Sequence, residues 1–113
     1  MSLPDIRPSD ATRVLVRIVY RGSTPRLRQR LVVDGGVLGG VRCRSSHPYD
    51  PTLSHVERVL GACSTWAQQH GERALRADGR ERAVGRVRVG VLTGSRPDGH
   101  YLLVEIEPKE ISG

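Results

Sequence analysis

One long amphipathic helical pattern in the middle of the chain restricts the fold more than any other feature. Between Asp50 and Ala77, apolar residues recur at spacings of three and four, which places them on one face of a helix. Such a face is stable only when another element covers it, so the rest of the chain has to supply that surface. The face is predicted to comprise Val56, Val59, Leu60, Cys63, Ala67, His70 and Ala74, with Trp66 beside it.

The start of this helix carries two competing signals. Asp50 precedes Pro51, a pair that suits a capping carboxylate followed by the first helical residue. Ser54 and Glu57 have the spacing of a capping box one turn later. We favour Asp50 as the N-cap.

The end of the helix is marked by Asp78-Gly79, because glycine readily takes the left-handed conformation that follows a helix. Gly71 is a weak point inside the pattern, since glycine costs about 1 kcal/mol relative to alanine there. We expect the helix to bend or end at Gly71, or to continue to Ala77.

The segments on both sides of the helix are predicted to be β-strands, because their apolar residues alternate with polar ones. Asp34-Gly35-Gly36 has the composition of a hairpin turn, and Gly39-Gly40 indicates a bulge or close packing. The predicted strands cover residues 13–21, 27–33, 37–43, 86–93 and 100–107.

The last two strands can be aligned with each other from their side chains. If Thr93 faces His100, three apolar pairs form on one face and two pairs of opposite charge on the other. A shift by one residue would lose both sets of pairs. The predicted pairs are Val87 with Ile106, Val89 with Val104, Val91 with Leu102, Arg88 with Glu105 and Arg86 with Glu107.

The predicted order of elements is therefore β-β-β-α-β-β. It indicates an α+β fold with a single antiparallel sheet of four or five strands and one long helix packed on one face. A β-grasp-like arrangement is the alternative. The 113 residues are divided into a flexible N-terminal arm over 1–11, one α+β domain over 12–108 and a short tail over 109–113.

Composition narrows the class of protein. The chain has no Phe, so its core has to be built mainly from Val and Leu. It has no apolar run of membrane-spanning length and no signal-peptide pattern at its start. Cys43 and Cys63 are too few for a disulfide framework, and we expect both to be reduced and buried. These features favour a cytoplasmic location.

Positive charge is concentrated in the first half of the chain. The net charge is +6, and Lys109 is the only basic residue that is not arginine. This bias is typical of a GC-rich bacterial genome, but codon usage does not explain why residues 13–44 hold eight arginines and a single acid, Asp34.

The alternation of the strands places these arginines on one surface. Arg17 and Arg21 project from the first strand on the side away from the helix, and Arg28 and Arg30 do so from the second. Arg42 and Arg44 extend the same surface. Such a cluster suits an anionic partner, because guanidinium groups bind carboxylates and phosphates bidentately. We predict that these six residues bind a partner.

Motifs for other functions are weak. His47, Asp50 and His55 lack the spacing of a metal site, and no metal or cofactor is expected. The glycines of residues 35–40 lack the Lys-Ser/Thr of a phosphate-binding loop, and a turn with a bulge explains them better.

Signs of catalysis are equally weak. The run Ser45-Ser46-His47 shows no nucleophile motif, and the side chain of Cys63 falls on the apolar helix face. Glu105 and Glu107 share a strand face, where ion pairing with arginine explains them better than acid–base chemistry.

Three hypotheses about function follow. The first is a small, non-catalytic interaction or accessory module that docks on an acidic protein, or on a copy of itself, through the arginine-rich sheet face. The second is a sequence-tolerant nucleic-acid-binding protein that uses the same arginines, although interleaved aromatic residues are missing. The third is an enzyme or small-ligand binder whose site the sequence does not reveal.

Overall fold

A computed structural model describes residues 11–22, 30–91 and 100–110 of the protein. These residues form a five-stranded sheet with the strand order β3-β2-β1-β5-β4, and every pairing is antiparallel. The α+β fold and the order β-β-β-α-β-β are confirmed. The elements are β1 Thr12–Arg21, β2 Arg30–Leu38, β3 Val41–Pro48, α1 His55–Ala77, β4 Val84–Val91 and β5 His100–Pro108.

Strand β1 lies at the centre of the sheet, paired with β2 on one side and β5 on the other. Its alternation decides the two faces. Val14, Val16 and Ile18 are buried under α1, whereas Arg13 and Leu15 are exposed on the opposite face. The core therefore lies between one face of the sheet and the helix, and the other face is uncovered by any described element.

The hairpin between β2 and β3 turns at a different place from the one predicted. Gly39 and Gly40 form the turn, with φ of 58° and 79°, values that suit a two-residue hairpin turn. The segment predicted to be the turn, Asp34-Gly35-Gly36, lies within β2, where the register of the pairing with β3 shifts. The turn and the bulge are thus exchanged relative to the prediction.

This exchange moves β3 along the chain, from the predicted residues 37–43 to Val41–Pro48. Residues 44–49, which were predicted to connect the third strand to the helix, belong to β3 as far as Pro48 and pair with β2 as far back as Arg30. As a result, Arg44 lies within a strand rather than in a connection, while Arg42 lies in the strand as predicted.

The predicted N-cap of the helix is also wrong, and the alternative is correct. Ser54 caps α1, with the Glu57 backbone N–H donating to its hydroxyl oxygen at 3.2 Å. The Glu57 side chain accepts from the Ser54 backbone N–H and completes the capping box. Asp50 instead accepts hydrogen bonds from Thr52 in a tight turn before the helix.

The buried face of α1 is rotated from the predicted one and is centred on Trp66. The indole is fully buried, and its N–H donates to the backbone carbonyl of Cys43 at 3.0 Å. Val56 and Leu60, predicted to be buried, are 63% and 44% exposed, and His70 is only half-buried. The residues that α1 buries are Val59, Ala62, Cys63, Trp66, Ala67, Gly71, Ala74 and Leu75.

The helix runs without a break through Gly71, so the bend or end that was expected there is absent. A Cβ at this position would lie 2.8 Å from Cγ2 of Val84 and 3.6 Å from Cδ1 of Ile106. The glycine is therefore explained by close packing of the helix on β4 and β5, which offsets its low helix propensity.

The predicted register of the last hairpin is confirmed over most of its length. Val87 faces Ile106, Val89 faces Val104, Val91 faces Leu102 and Arg88 faces Glu105. A register shift between Val84 and Val87 removes the predicted pair of Arg86 with Glu107. Four parts of the predictions lie outside the described residues, namely Leu27 and Arg28, Thr93, residues 1–10 of the predicted arm and residues 111–113 of the predicted tail.

Both cysteines are free thiols in the core, as predicted. Burial raises the pKa of Cys63 to about 11, which keeps its thiol protonated and unreactive at neutral pH.

Candidate binding face

The sheet face opposite α1, called the open face here, carries most of the charged strand residues. Strands β1 and β5 supply Arg13, Arg17, Arg21, Glu105 and Glu107 to it, because these residues alternate with core positions. The register then sets which residues from different strands lie side by side. As a result, the open face divides into two halves that differ in net charge.

The first half is formed by β1, β2 and β3, and we call it the arginine half. It contains five arginines and one carboxylate, namely Arg17, Arg21, Arg30, Arg42, Arg44 and Asp34. Arg17 and Arg44 flank Asp34 on neighbouring strands in one row. Since strands lie about 4.8 Å apart, their Cα atoms are separated by roughly 10 Å.

Asp34 is occupied by contacts within β2 and β3. Its Oδ1 accepts from the backbone N–H of Gly36 at 2.9 Å, and its Oδ2 pairs with Arg42 at 2.7 Å. Burial by itself raises the pKa of Asp34, but these two hydrogen bonds and the charges of Arg42 and Arg44 outweigh it and lower the pKa below 3.8. The carboxylate is therefore ionised and already committed to Arg42.

Arg30 and Arg21 face each other across β2 and β1. Arg30 is held by Ser46, whose hydroxyl oxygen accepts from Nε at 2.6 Å and whose carbonyl accepts from a terminal nitrogen at 3.2 Å. No described carboxylate pairs with Arg21. Two like charges thus lie opposite each other at this end of the arginine half.

Arg17 is the least exposed of these arginines. Its Nε is buried without a hydrogen-bond partner, in a residue that is otherwise half-buried. A buried donor that lacks an acceptor costs free energy.

The structure thus brings five of the six predicted binding residues together, and Arg28 lies outside the described residues. Of these five arginines, Arg17, Arg21 and Arg44 form no ion pair with a described acidic residue and no hydrogen bond to a neighbouring strand. These three are the arginines available to a partner. Arg30 and Arg42 are partly engaged by Ser46 and Asp34.

The second half of the open face is formed by β1, β5 and β4, and we call it the balanced half. It carries three arginines and two acids: Arg13 pairs with Glu105 at 3.8 Å and Arg88 with Glu107 at 4.0 Å, while Arg86 is exposed on β4 without an ion pair to a described acid. Both glutamates form ion pairs with arginine, as predicted, but neither pairs with the predicted residue. Glu107 pairs with Arg88 instead of Arg86, and Glu105 pairs with Arg13 of β1 instead of Arg88, a neighbour that only the strand order reveals.

Apolar residues lie among the charged ones. Leu15 faces Leu103 between β1 and β5, and Val19 faces Val32 between β1 and β2. Leu15 is 37% exposed, while Val32 is almost fully buried although it is not part of the core under the helix. Sequence reasoning missed these pairs, since alternation alone assigns such positions to solvent.

One contact resembles a catalytic pair. The hydroxyl of Ser45 and Nε2 of His47 are 2.7 Å apart. Ser45 is only 6% exposed, so a substrate cannot reach its hydroxyl. Burial, and then the positive charge of Arg30, lowers the pKa of His47, which keeps the imidazole neutral. The pair satisfies buried polar groups and does not form an accessible nucleophile.

Within the described ranges, no group of three or more His, Cys, Asp and Glu side chains is placed to hold a metal ion. The same ranges contain no helix that is both long and apolar enough to cross a membrane. In comparisons with known proteins, the chain matches no family model, no curated protein and no solved structure.

Proposed function

We propose that this protein is a small, non-catalytic interaction module of the cytoplasm, which docks on an acidic protein through the arginine half of its open face. The observation that carries the proposal is the uneven charge of that face. Five arginines meet one carboxylate on β1, β2 and β3, whereas three arginines meet two acids on the other half, and both of those acids are paired. Codon bias would affect both halves alike.

The mixture of residue types supports a protein partner. Leu15 and Val19 lie beside Arg17 on the same strand face, and Tyr101 lies opposite Arg17 on β5. Arginine and tyrosine next to apolar side chains are typical of protein interfaces, where a partly apolar centre is surrounded by polar groups.

A second copy of the chain fits this surface less well. Two arginine halves brought face to face would place like charges together without new acids to match them, which opposes association. The partner is therefore a different protein with surface carboxylates.

Nucleic acid is the second candidate, favoured by the arginines alone. Single-stranded nucleic acid binding also needs aromatic platforms for the bases. Tyr20 and Tyr49 contact each other on the helix side, and Tyr20 donates to or accepts from His55 at 2.8 Å, so neither lies on the open face. Tyr101 does lie on that face, opposite Arg17, but a single ring does not form a series of platforms for successive bases. This distribution makes nucleic acid the weaker fit.

The test compares two triple variants that lose the same charge. Arg17, Arg21 and Arg44 are replaced by Gln in the test variant, and Arg13, Arg76 and Arg88 in the control. Each protein and the wild type is used for affinity capture from an extract of its native cells, with captured proteins quantified by mass spectrometry. Each is also titrated with mixed-sequence DNA and RNA at several salt concentrations.

An acidic protein captured by the wild type and the control, but lost from the test variant, supports the proposal. Nucleic-acid binding with a steep logarithmic salt dependence, lost in the same variant, would support the second candidate instead. Identical capture by all three proteins would refute the role of the arginine half.

A further inference from the structure

We infer that the partner supplies an extended acidic segment, which adds as a sixth strand along the outer edge of β3. This inference rests on the proposed function and specifies how the partner is held. An added strand forms main-chain hydrogen bonds with the sheet edge, and its alternate side chains contact residues on both faces of the sheet. The features that support it are the free edge of β3, its charges and a cleft beside it.

Strand β3 forms one edge of the sheet and runs for eight residues from Val41 to Pro48. No described strand pairs with its outer side. Arg42 and Arg44 project from it onto the open face, while Cys43 and Ser45 are buried on the helix side. Charged side chains on an edge strand discourage pairing between identical copies but permit a strand of opposite charge.

The other edge, β4, is less suited to an acidic segment. The charge of Arg88 is matched there by Glu107, which belongs to the same face. The register shift between Val84 and Val87 also interrupts its pairing with β5. Bulges of this kind hinder the addition of a further strand.

A cleft of about 520 Å³ lies between the C-terminal end of β3 and the N-terminal half of α1. Its size falls within the range of about 300–1,000 Å³ that is usual for binding pockets. His47, Pro48 and Tyr49 line one side, and Gly61 and Ala62 line the other. Side chains on the helix side of an added strand would lie next to this cleft.

Gly61 keeps the cleft open on the helix side. A Cβ at this position would meet no atom within 4 Å, so close packing does not explain the glycine, as it does for Gly71. Glycine in the interior of a helix is unfavourable relative to alanine. A requirement for space in the cleft accounts for its presence.

The two faces of the added strand therefore call for different residues. Positions on the open face lie beside Arg42 and Arg44 and require Asp or Glu. Positions on the helix side lie beside the neutral imidazole of His47 and the apolar side chains of Leu53 and Ala62, and they require apolar side chains. The expected segment alternates acidic and apolar residues.

The probe is a fluorescein-labelled peptide of about eight residues, the length of a typical strand, in which Glu alternates with Leu. One control peptide has the same composition with Glu and Leu in separate blocks. Another has the alternating sequence with every second amide N-methylated, which removes main-chain donors. Binding is measured by fluorescence anisotropy to the full chain, and backbone amide shifts are followed by NMR.

The alternating peptide is expected to bind roughly tenfold more tightly than either control, with the largest shifts in β3. Gly61→Leu should weaken binding by roughly tenfold by filling the cleft, and Arg44→Glu should do so by placing like charges opposite each other. Arg88→Glu, on the other edge, is the matched control and should leave the affinity unchanged. Melting curves confirm that each variant is folded.

The outcomes separate this inference from the proposed function. If the alternating and block peptides bind equally and Arg44→Glu weakens both, the arginine half binds acidic chains but strand addition is wrong. If the largest backbone amide shifts fall on β4, the peptide adds to that edge and the assignment to β3 is wrong. If no peptide binding depends on Arg44, both the inference and the proposed function lose their support. If Gly61→Leu folds poorly, Gly61→Ala provides the same test with a smaller side chain.

Discussion

Gly35 lies directly against Trp66, so closely that a Cβ on the glycine would be 2.1 Å from Cζ2 of the indole. The bulge in β2 thus provides the recess into which the largest core side chain fits. The indole N–H then donates to the carbonyl of Cys43 on β3. The side chain of Trp66 therefore links the helix, the bulge in β2 and the edge strand β3.

Gly35→Ala should destabilise the protein by about 1–3 kcal/mol, because the added methyl group forces Trp66 or the bulge to move. Gly61→Ala is the matched control: its methyl group meets nothing, and alanine is favoured in a helix by about 1 kcal/mol. Urea unfolding of the two variants measures both effects. A loss for Gly61→Ala as large as that for Gly35→Ala would contradict the packing described here.

Trp66→Ala should cost about 3–5 kcal/mol, the usual range for removing a large aromatic side chain from a core. Leu60→Ala should cost less than about 1 kcal/mol, because Leu60 is 44% exposed. The same unfolding measurement checks both. If Leu60→Ala were the more costly change, the buried face of α1 would be the one predicted from periodicity rather than the one centred on Trp66.

Ser54→Ala should destabilise the helix by about 1 kcal/mol, since Ser54 supplies the acceptor of the capping box. Asp50→Ala should have the smaller effect, because Asp50 accepts hydrogen bonds only from Thr52 in the preceding turn. Thermal unfolding of the two variants shows which of the two residues contributes more to stability. The reverse order would assign the N-cap to Asp50.

The lowered pKa of Asp34 predicts a contribution to acid stability. The folded state prefers the charged carboxylate, so this contribution is present above the ordinary pKa of 3.8 and is lost as the pH falls through the lower folded value. Asp34→Asn should be less stable near neutral pH and should lose less stability than the wild type on acidification below about pH 4. Unfolding free energies across that pH range test this. If the unfolding free energies of the two proteins fell by the same amount as the pH was lowered, the effect would be excluded.

The main elements could be predicted from the sequence because each has a clear period. Alternation identified the strands, and it placed Arg17, Arg21 and Arg30 on the face away from the helix. Spacings of three and four identified α1. Cross-strand complementarity aligned β4 with β5 over three apolar pairs, because a shift would have lost all of them.

The errors arose where tertiary contacts decide between two local solutions. Asp34-Gly35-Gly36 and Gly39-Gly40 both suit a turn, and only the packing of Trp66 against Gly35 selects the second. Likewise, Arg13 becomes the partner of Glu105 because β1 pairs with β5, and strand order has no local signal in the sequence. The bounds of β3, and with them the extent of the arginine half, depend on the turn at Gly39-Gly40 that this packing selects.

The most direct measurement compares the unfolding free energies of the two triple variants at low ionic strength. In the proposed function, Arg17, Arg21 and Arg44 serve binding rather than folding. Replacing them with Gln should therefore leave stability within about 0.5 kcal/mol of the wild type, or raise it slightly, because repulsion between like charges is relieved. Replacing Arg13, Arg76 and Arg88 should lower stability by up to about 1 kcal/mol, since three exposed ion pairs are lost. A loss of more than about 1 kcal/mol in the first variant would show that these arginines hold the fold and would contradict the account.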